Sequence, residues 1–405
     1  MSGADHGLAV RIGIAQLIAW ASSQYLPGVI AVPMAEALGM PVAWVFGGLS
    51  GALVLSALAG PLAGRLIDHF GGRPVLVCSN LLFAAGLLSL AVADGLMGFV
   101  FGWGLIGIAM AAGLYDGAFA ALVRLRGTQA RPAITVVTLI AGFASTIGWP
   151  LTAWIAHSAD WRVACLGWAL LHLIVAMPLH ASLPTVSSET AEAQGRMRAS
   201  GLEETGKSGP RAQASGRASL MMALLATMFA LSLFVTTAMA AHLPGLLVSA
   251  GLSLPLAIAG AALVGPAQVL GRLIEFTLLR RASVFLLAAL AVLAHPVGAV
   301  ALLLQGEALA YIFAALHGLG NGLLTIVKGT LPLTLFGAAG YGRRVGLIML
   351  PAKLSQALAP LLFGIALEHY GVSALWLTTA LCALSALVLM EVSRMTNIDD
   401  GHRDT

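Results

Sequence analysis

Three charged residues lie inside long apolar stretches of this 405-residue chain: Asp116, Lys328 and Lys353. A charged side chain at the centre of a membrane-spanning helix costs roughly 2.5–3.5 kcal/mol, so each needs a partner or water. Asp116 can be a carboxylate that loads and releases a coupled proton, or it can form a salt bridge between helices. Lys328 can hold an anionic solute, or it can pair with Asp116 or a backbone carbonyl. Lys353 lies closer to the end of its stretch, so we expect a mainly structural role, its amine reaching toward water.

Uncharged polar residues in the same stretches are further candidates. His242 and His317 can carry protons near neutral pH, although a buried histidine can equally bond to a neighbouring helix. Asn321 adds polar character close to His317 in sequence. A polar and aromatic cluster in the first apolar stretch is a candidate for solute selectivity: Trp20, Gln24 and Tyr25.

The composition indicates that membrane-spanning helices position these residues. Hydrophobic residues make up 59% of the chain, charged residues only 9%, and the mean hydropathy is +0.93. A soluble domain has about 25% charged residues. Continuous apolar runs of roughly 20 residues span a bilayer as helices, whereas barrel strands are shorter and alternate in polarity. The sequence therefore predicts an all-α polytopic membrane protein.

Twelve spans are predicted, in two groups of six. They lie near residues 9–36, 42–66, 74–94, 98–123, 132–156, 163–183, 219–248, 254–273, 283–303, 306–335, 345–367 and 371–393. The polar stretch at residues 185–217 has no apolar periodicity and is interpreted as a flexible linker. This divides the chain into a bundle at residues 1–184, the linker, a bundle at residues 218–393 and a tail at residues 394–405. Lys and Arg concentrate in alternate loops, which predicts cytoplasmic termini and a cytoplasmic linker.

The stretch Gly60–Pro74 reads GPLAGRLIDHFGGRP and begins as the end of an apolar helix. Gly60 and Gly64 are four residues apart, which lets another helix backbone come close. Gly71 and its neighbour accept positive φ and permit a tight reversal. A carboxylate, Asp68, stands between Arg65 and Arg73, where it can bridge two cations or cap a helix. The stretch resembles motif A of the major facilitator superfamily (MFS), the loop after the second span. The resemblance implies a cytoplasmic conformational latch.

A second copy of the latch sequence occurs 207 residues later. The pentapeptide beginning Gly271-Arg272 and ending at Glu275 repeats the one beginning Gly64-Arg65. The next basic residue, Arg280, follows the acid by five positions, as Arg73 does in the first copy. Recurrence at half the chain length is typical of duplicated transporter halves. We therefore expect all four residues of the second copy to belong to the latch.

The fifth predicted span carries Gly148-Trp149-Pro150. This loosely resembles the Gly-Pro motif C of MFS drug:proton antiporters and points to a kink at Gly148 and Pro150, and so to export. A kinked packing helix without a role in export is an equally valid interpretation. The arginine expected in the fourth span of such antiporters is missing, which places their coupling scheme in doubt here.

The MFS resemblance implies two bundles that rock about a central cavity near the bilayer midplane. Spans 1, 4, 7 and 10 would line it, so Asp116, Lys328, His242, His317 and Asn321 can face the cavity, with Lys353 at its flank. The segments Leu114–Ala120 and Asn321–Pro332 resemble those of uncharacterised bacterial MFS permeases, some of which are grouped with metabolite, drug or arsenical exporters. The expected location is therefore the bacterial inner membrane, with the protein as a monomer.

The resemblance favours proton-coupled export of a small organic solute by antiport. Proton-coupled transport of an organic anion such as a monocarboxylate is the alternative, and a transporter-like solute sensor is a distant one. No enzyme activity, nucleic-acid partner, metal or cofactor is expected. The three cysteines lie in separate spans, and no phosphate-binding loop occurs. The expected partners are a solute, an ion gradient and membrane lipid.

Overall fold

The computed structural model describes residues 3–126, 130–184, 212–279, 281–336 and 341–401, and every regular element in these ranges is helical. The first half contains α1 (Gly3–Ser23), α2 (Pro27–Leu38), α3 (Val42–Phe70), α4 (Gly72–Ala91), α5 (Leu96–Gly113), α6 (Tyr115–Arg126), α7 (Ala130–Ala141), α8 (Ala144–Ser158), α9 (Trp161–Leu171) and α10 (Met177–Ala181). The second half contains α11 (Ala212–Ser249), α12 (Leu254–Ala262), α13 (Val264–Thr277), α14 (Val284–Gln305), α15 (Ala310–Phe336), α16 (Tyr341–Tyr370) and α17 (Leu375–Gly401). Short π or 3-10 turns join α9 to α10, α14 to α15 and α16 to α17.

Nine helical stretches of the described residues are long and apolar enough to cross a membrane. Two of them are 53 and 50 residues long and contain two helices each, α14 with α15 and α16 with α17. The predicted all-helical membrane architecture is confirmed. The count of twelve spans stays a prediction.

Four predicted spans that were expected to be continuous are each divided into two helices. The breaks lie at residues 24–26 between α1 and α2, at Leu114, at residues 142–143 and at Leu263. At the second break, the side-chain amide of Gln16 on α1 donates to the Gly113 carbonyl at 2.5 Å. This bond supplies a partner for a carbonyl that a helix end leaves unsatisfied. Broken helices at membrane depth are tolerated where protein or a cavity covers their polar backbone.

The fifth predicted span is interrupted at residues 142–143, a break that the sequence analysis did not predict. Gly142 and Phe143 lie outside regular helix, and the Phe143 amide donates to Ile140, a tighter turn than in an α-helix. Helix α8 then runs through Gly148 and Pro150. Gly148 also packs closely against the first helix, because an added Cβ would stand 2.9 Å from Ala21 Cβ on α1. The predicted kink at Gly148 and Pro150 stays a prediction.

Gly148→Val is expected to lower the stability of the protein by about 1–3 kcal/mol, because the larger side chain overpacks the contact with α1. Gly104→Val is the matched control, since an added Cβ at Gly104 meets no heavy atom within 4 Å. The apparent melting temperature of the two variants in detergent is the measurement. Equal melting temperatures would contradict the close contact.

The two halves pack together at the predicted outer end of the bundle. Contacts between the halves pair α3 with α16, α2 with α11, and α8 with α12. Trp149 of the first half is buried in an apolar cluster of the second half, and Ala241 is buried in a cluster of the first. The Leu361 amide donates to the Ser50 hydroxyl at 3.1 Å across the same contact. The outer end is therefore closed.

At the predicted cytoplasmic end, the halves have separate cores. One buried cluster is made of second-half residues from Met221 to Val392, and another of first-half residues from Leu8 to Leu183. Two facing side chains at this end, Asp116 and Lys353, are 75% and 44% exposed. The closed outer end and the open opposite end correspond to an inward-facing conformation, given the predicted orientation.

The predicted linker and tail are only partly covered by the described residues. Residues 185–211 lie outside them, and α11 already begins at Ala212, inside the predicted linker. At the other end, α17 continues to Gly401, beyond the predicted start of the tail at residue 394.

Candidate functional site

A cavity of about 300 Å³ lies between the two halves. Helices α1, α6, α7 and α8 supply one wall, and α11, α13, α15 and α16 supply the other. Seven of the residues predicted to face a cavity line it: Trp20, Gln24, Tyr25, Asp116, His317, Asn321 and Lys328. The cavity is the candidate solute site.

Aromatic rings form much of the first-half wall. Trp20 and Tyr115 are 5.0 Å apart between ring centroids, and Tyr115 stacks on Phe119 at 5.1 Å. Tyr25 meets Trp149 edge to face, also at 5.0 Å. The Trp20 ring nitrogen and the Gln24 amide oxygen are buried without a hydrogen-bond partner among the described residues. The wall therefore offers an apolar surface with unused polar atoms at its edge, as solute sites commonly do.

Asp116 forms a salt bridge between the halves. Its helix, α6, begins at Tyr115, so the carboxylate lies in the first turn, where the helix dipole favours negative charge. Lys353 Nζ on α16 donates to Asp116 Oδ2 at 2.5 Å. The structure thus contains a helix-to-helix salt bridge of Asp116. Its partner is Lys353 rather than Lys328.

Arg272 lies in the cavity, although the repeated pentapeptide assigned it to the cytoplasmic latch. Its Nη1 donates to the Thr138 carbonyl of the first half at 2.7 Å. Its Nε is buried without a hydrogen-bond partner among the described residues. Arg272 is therefore corrected from a latch residue to a cavity residue.

For the other members of the second copy, a latch role stays a prediction. An added Cβ at Gly271 would lie 2.7 Å from the Leu319 carbonyl, so this glycine permits close packing of α13 on α15. Glu275 is half-buried near the end of α13. Arg280 lies outside the described residues.

Lys328 lines the cavity with no ion pair or hydrogen bond to any residue that the structure describes. Arg272 and one carboxylate, Asp116, line the same cavity, and Lys353, which is not among its lining residues, pairs with Asp116. These three cations and one carboxylate therefore have a formal net charge of +2. Such a cavity attracts anions.

The two predicted histidines have different environments. His317 lines the cavity. His242 does not, and its Nε2 donates to the Pro360 carbonyl at 2.7 Å, while its ring packs against Phe46 and Phe363. His242 is 2% exposed and belongs to the closed outer contact. The prediction that His242 faces the cavity is therefore wrong for this conformation, because its side of α11 faces α16.

The first latch loop is open to solvent. Gly71 has a φ of 90° and its amide donates to the Ile67 carbonyl, as the tight reversal requires. An added Cβ at Gly60 or Gly64 would meet nothing within 4 Å, so the expected close helix contact is absent in this conformation. Arg65, Asp68 and Arg73 are exposed. Their role as a latch in the opposite conformation stays a prediction.

Sequence reasoning missed several cavity residues. Gln268 and Arg272 on α13 are four residues apart and line the same wall, following Val264 by four and eight residues. This spacing of polar residues on one helix face was the available signal. Other missed members are Tyr115, Thr138, Thr236, Thr237 and Gln356. In the described residues, no group of three or more histidine, cysteine or acidic side chains could hold a metal.

Comparison with known proteins identifies the family. Residues 12–305 match the sequence profile of the Major Facilitator Superfamily. The chain belongs to the major facilitator superfamily. No curated protein matches the MFS chain by sequence.

Solved MFS-type structures share the fold. A D-xylose-proton symporter aligns with a TM-score of 0.71 at 14% identity, over 95% of this chain and 97% of the other. A POT family transporter in complex with 5-aminolevulinic acid aligns with a TM-score of 0.72 at 11% identity, over 96% of both chains. These likenesses establish the fold. As an MFS member, the chain is a multi-pass membrane protein of a transporter family rather than an enzyme.

Proposed function

We propose that this MFS protein transports a small organic anion, with a carboxylate as its charged group, in a proton-coupled cycle of alternating access. The cationic excess of the central cavity is the observation that carries the proposal. Of the two predicted solute classes, it favours the organic anion. The predicted export direction stays a prediction.

The charge balance supports an anionic solute in energetic terms. An unpaired cation at membrane depth costs roughly 2.5–3.5 kcal/mol, and Arg272 and Lys328 have no carboxylate partner among the described residues. A bound carboxylate offsets part of this cost. A cationic solute would add to it, because like charges at close range repel.

The hydrogen-bonding groups of the site support the same solute class. Arg272 Nε and Trp20 Nε1 are buried donors without a partner among the described residues. A carboxylate has two acceptor oxygens and satisfies more than one donor at a time. The aromatic wall around Trp20 and Tyr115 suits an apolar group attached to that carboxylate.

The salt bridge between Asp116 and Lys353 supports a role in closing the cytoplasmic end. The two residues belong to opposite halves and are exposed in the inward-facing conformation. Closure would bring them out of water, where an unpaired charge is costly. The exposed latch loop containing Asp68 would complete the closed state, as the MFS resemblance implies.

A flux screen in proteoliposomes tests the proposal. The purified full-length protein is reconstituted, a pH gradient is imposed, and uptake of radiolabelled lactate, benzoate and succinate is compared with that of tetraphenylphosphonium. We expect at least one carboxylate to accumulate about tenfold above protein-free liposomes, the effect of roughly 1.4 kcal/mol. Tetraphenylphosphonium should stay at the protein-free level.

Two controls make the screen specific. Lys328→Gln should reduce carboxylate uptake, whereas Arg281→Gln, which removes an exposed cation, should not. Transport of tetraphenylphosphonium without transport of any carboxylate would contradict the proposed solute class.

A further inference from the structure

Behind the cavity wall of the second half, three polar side chains form a hydrogen-bonded chain. The Nδ1 atoms of His317 on α15 and His295 on α14 are 3.0 Å apart. The Nε2 of His295 lies 2.9 Å from the Thr378 hydroxyl oxygen on α17. All three residues are at most 5% exposed. Three helices thus contribute to one chain that begins at the cavity.

The hydrogen bond from Thr378 to a backbone carbonyl fixes the direction of the two hydrogen bonds that His295 makes. The Thr378 hydroxyl donates to the Leu375 carbonyl at 3.0 Å, because a carbonyl oxygen only accepts. The Thr378 oxygen therefore accepts the proton on His295 Nε2. A neutral His295 that is protonated at Nε2 has a bare Nδ1, which accepts from His317 Nδ1–H.

This assignment leaves Nε2 of His317 as the unprotonated nitrogen. His317 lines the central cavity, so the lone pair belongs to a residue in contact with the solute space. A second, small cavity of about 20 Å³ touches both histidines, Thr236 and Asn321. It has room for about one water molecule. Thr236 and Asn321 also line the central cavity, so the small cavity adjoins it.

We propose that His317 is the proton-binding residue of the transport cycle, and that His295, held by Thr378, positions it. A proton adds to His317 Nε2 without breaking any bond. The resulting imidazolium keeps its donor bond from Nδ1 to the bare Nδ1 of His295. The inference rests on the proposed function, because a coupled proton requires a solute that moves with it.

The surroundings of His317 determine the sign of the coupling. The titratable and charged groups that face its two cavities are Arg272, Lys328, Asp116, Tyr25, Tyr115 and Cys382. A positive charge on His317 adds to the cationic excess of the site, so it strengthens the attraction for a carboxylate. By linkage, a bound carboxylate strengthens proton binding equally. Mutual reinforcement corresponds to symport, in contrast to the antiport that the Gly-Pro motif indicated.

The first test needs no solute. The full-length protein, labelled with ¹⁵N-histidine and held in lipid nanodiscs, is examined by NMR over a range of pH. We expect a ¹⁵N–¹⁵N coupling across the bond between the Nδ1 atoms of His295 and His317. On acidification, protonation should occur at His317 Nε2. Protonation of His295 first, or the absence of the coupling, would overturn the proposal.

Two variants make the NMR test selective. Thr378→Val removes the acceptor of His295 and should abolish the coupling. His172→Gln is the control, because His172 bonds to Ser22 and Asn80 in the first half and does not line the cavity. It should leave the coupling intact. Loss of the coupling in both variants would show that the hydrogen bond between His295 and His317 is lost whenever packing is disturbed. This result too would overturn the positioning role of His295.

The second test measures transport in proteoliposomes of whichever of lactate, benzoate and succinate the flux screen shows to accumulate. We expect His317→Gln to lower the ratio of proton-driven accumulation to exchange at equal pH by about tenfold, within the usual range of coupling energies. His295→Gln should lower the same ratio, and His172→Gln should not. An unchanged ratio in His317→Gln overturns the proposal. If the unaltered protein carries no carboxylate, the proposed function fails, whereas the NMR titration still decides where the proton binds.

Discussion

Replacing Arg272 with glutamine is expected to lower carboxylate flux by about 100-fold, the effect of losing roughly 3 kcal/mol of charge-assisted hydrogen bonding. Arg272 is the one guanidinium that lines the cavity among the described residues. Its Nη1 is held by the Thr138 carbonyl, and its Nε has no partner in the described part of the chain. A carboxylate can therefore bond to an arginine that is already oriented.

The measurement is the initial rate of lactate uptake under a pH gradient, normalised to correctly inserted protein. Arg272→Lys should retain part of the flux, because the charge is kept and the planar donor geometry is lost. Arg281→Gln is the matched control, since it removes a cation that is exposed beyond the end of α13. Wild-type flux in Arg272→Gln would show that the solute does not bind at this arginine.

The misassignment of Arg272 has a geometric cause. In the first copy the arginine follows the Gly-Pro pair's glycine by five residues, from Gly60 to Arg65, and in the second by seven, from Gly265 to Arg272. Two additional residues rotate a side chain by about 200° around a helix of 3.6 residues per turn. Seven residues are nearly two full turns, so Arg272 shares a face with Gly265.

That face points toward the first half. An added Cβ at Gly265 would lie 2.8 Å from the Gly142 carbonyl, so α13 and the first half are in close contact there. Arg272 consequently reaches Thr138, one turn earlier on α7. The repeated pentapeptide indicates two related halves. The number of residues between the Gly-Pro pair and the arginine decides which face of the helix the arginine occupies.

The broken helices had weaker signals in the sequence. Gly117 follows the break at Leu114, and an added Cβ at this glycine would overlap the Ala112 carbonyl. In a single sequence, Gly117 is one of 47 glycines, most of which suit close packing as well as a break. The partner that stabilises the break, Gln16, lies 97 residues away in the chain. Such long-range support becomes visible only once the helices are packed.

The residues around His317 illustrate the same limit. Its partner His295 is 22 residues away and Thr378 is a further 83 residues from His295. No periodic pattern within one helix connects positions on three helices. The composition and apolar runs predicted the membrane fold, and the charged residues inside those runs predicted Asp116 and Lys328 as part of the site region. Which charges pair with which was decided by the rotation of each helix.

Exchanging the charges of Asp116 and Lys353 is expected to restore transport that either single change abolishes. In the inward-facing conformation both side chains are well exposed, so the pair contributes at most about 1 kcal/mol to stability. When the cytoplasmic end closes, water leaves, and an unpaired charge at this depth becomes costly. Asp116→Lys and Lys353→Asp should therefore each stop the cycle before closure, with little effect on folding.

The double variant recreates one opposite-charge pair between the halves, so we expect its lactate flux to return to within about tenfold of the original. Asp116→Lys combined with Arg281→Asp is the matched control, because it has the same net charge with the new carboxylate at an exposed position outside the cavity. It should remain inactive. Equal recovery in both double variants would show that net charge alone matters, and that the contact between Asp116 and Lys353 does not control closure.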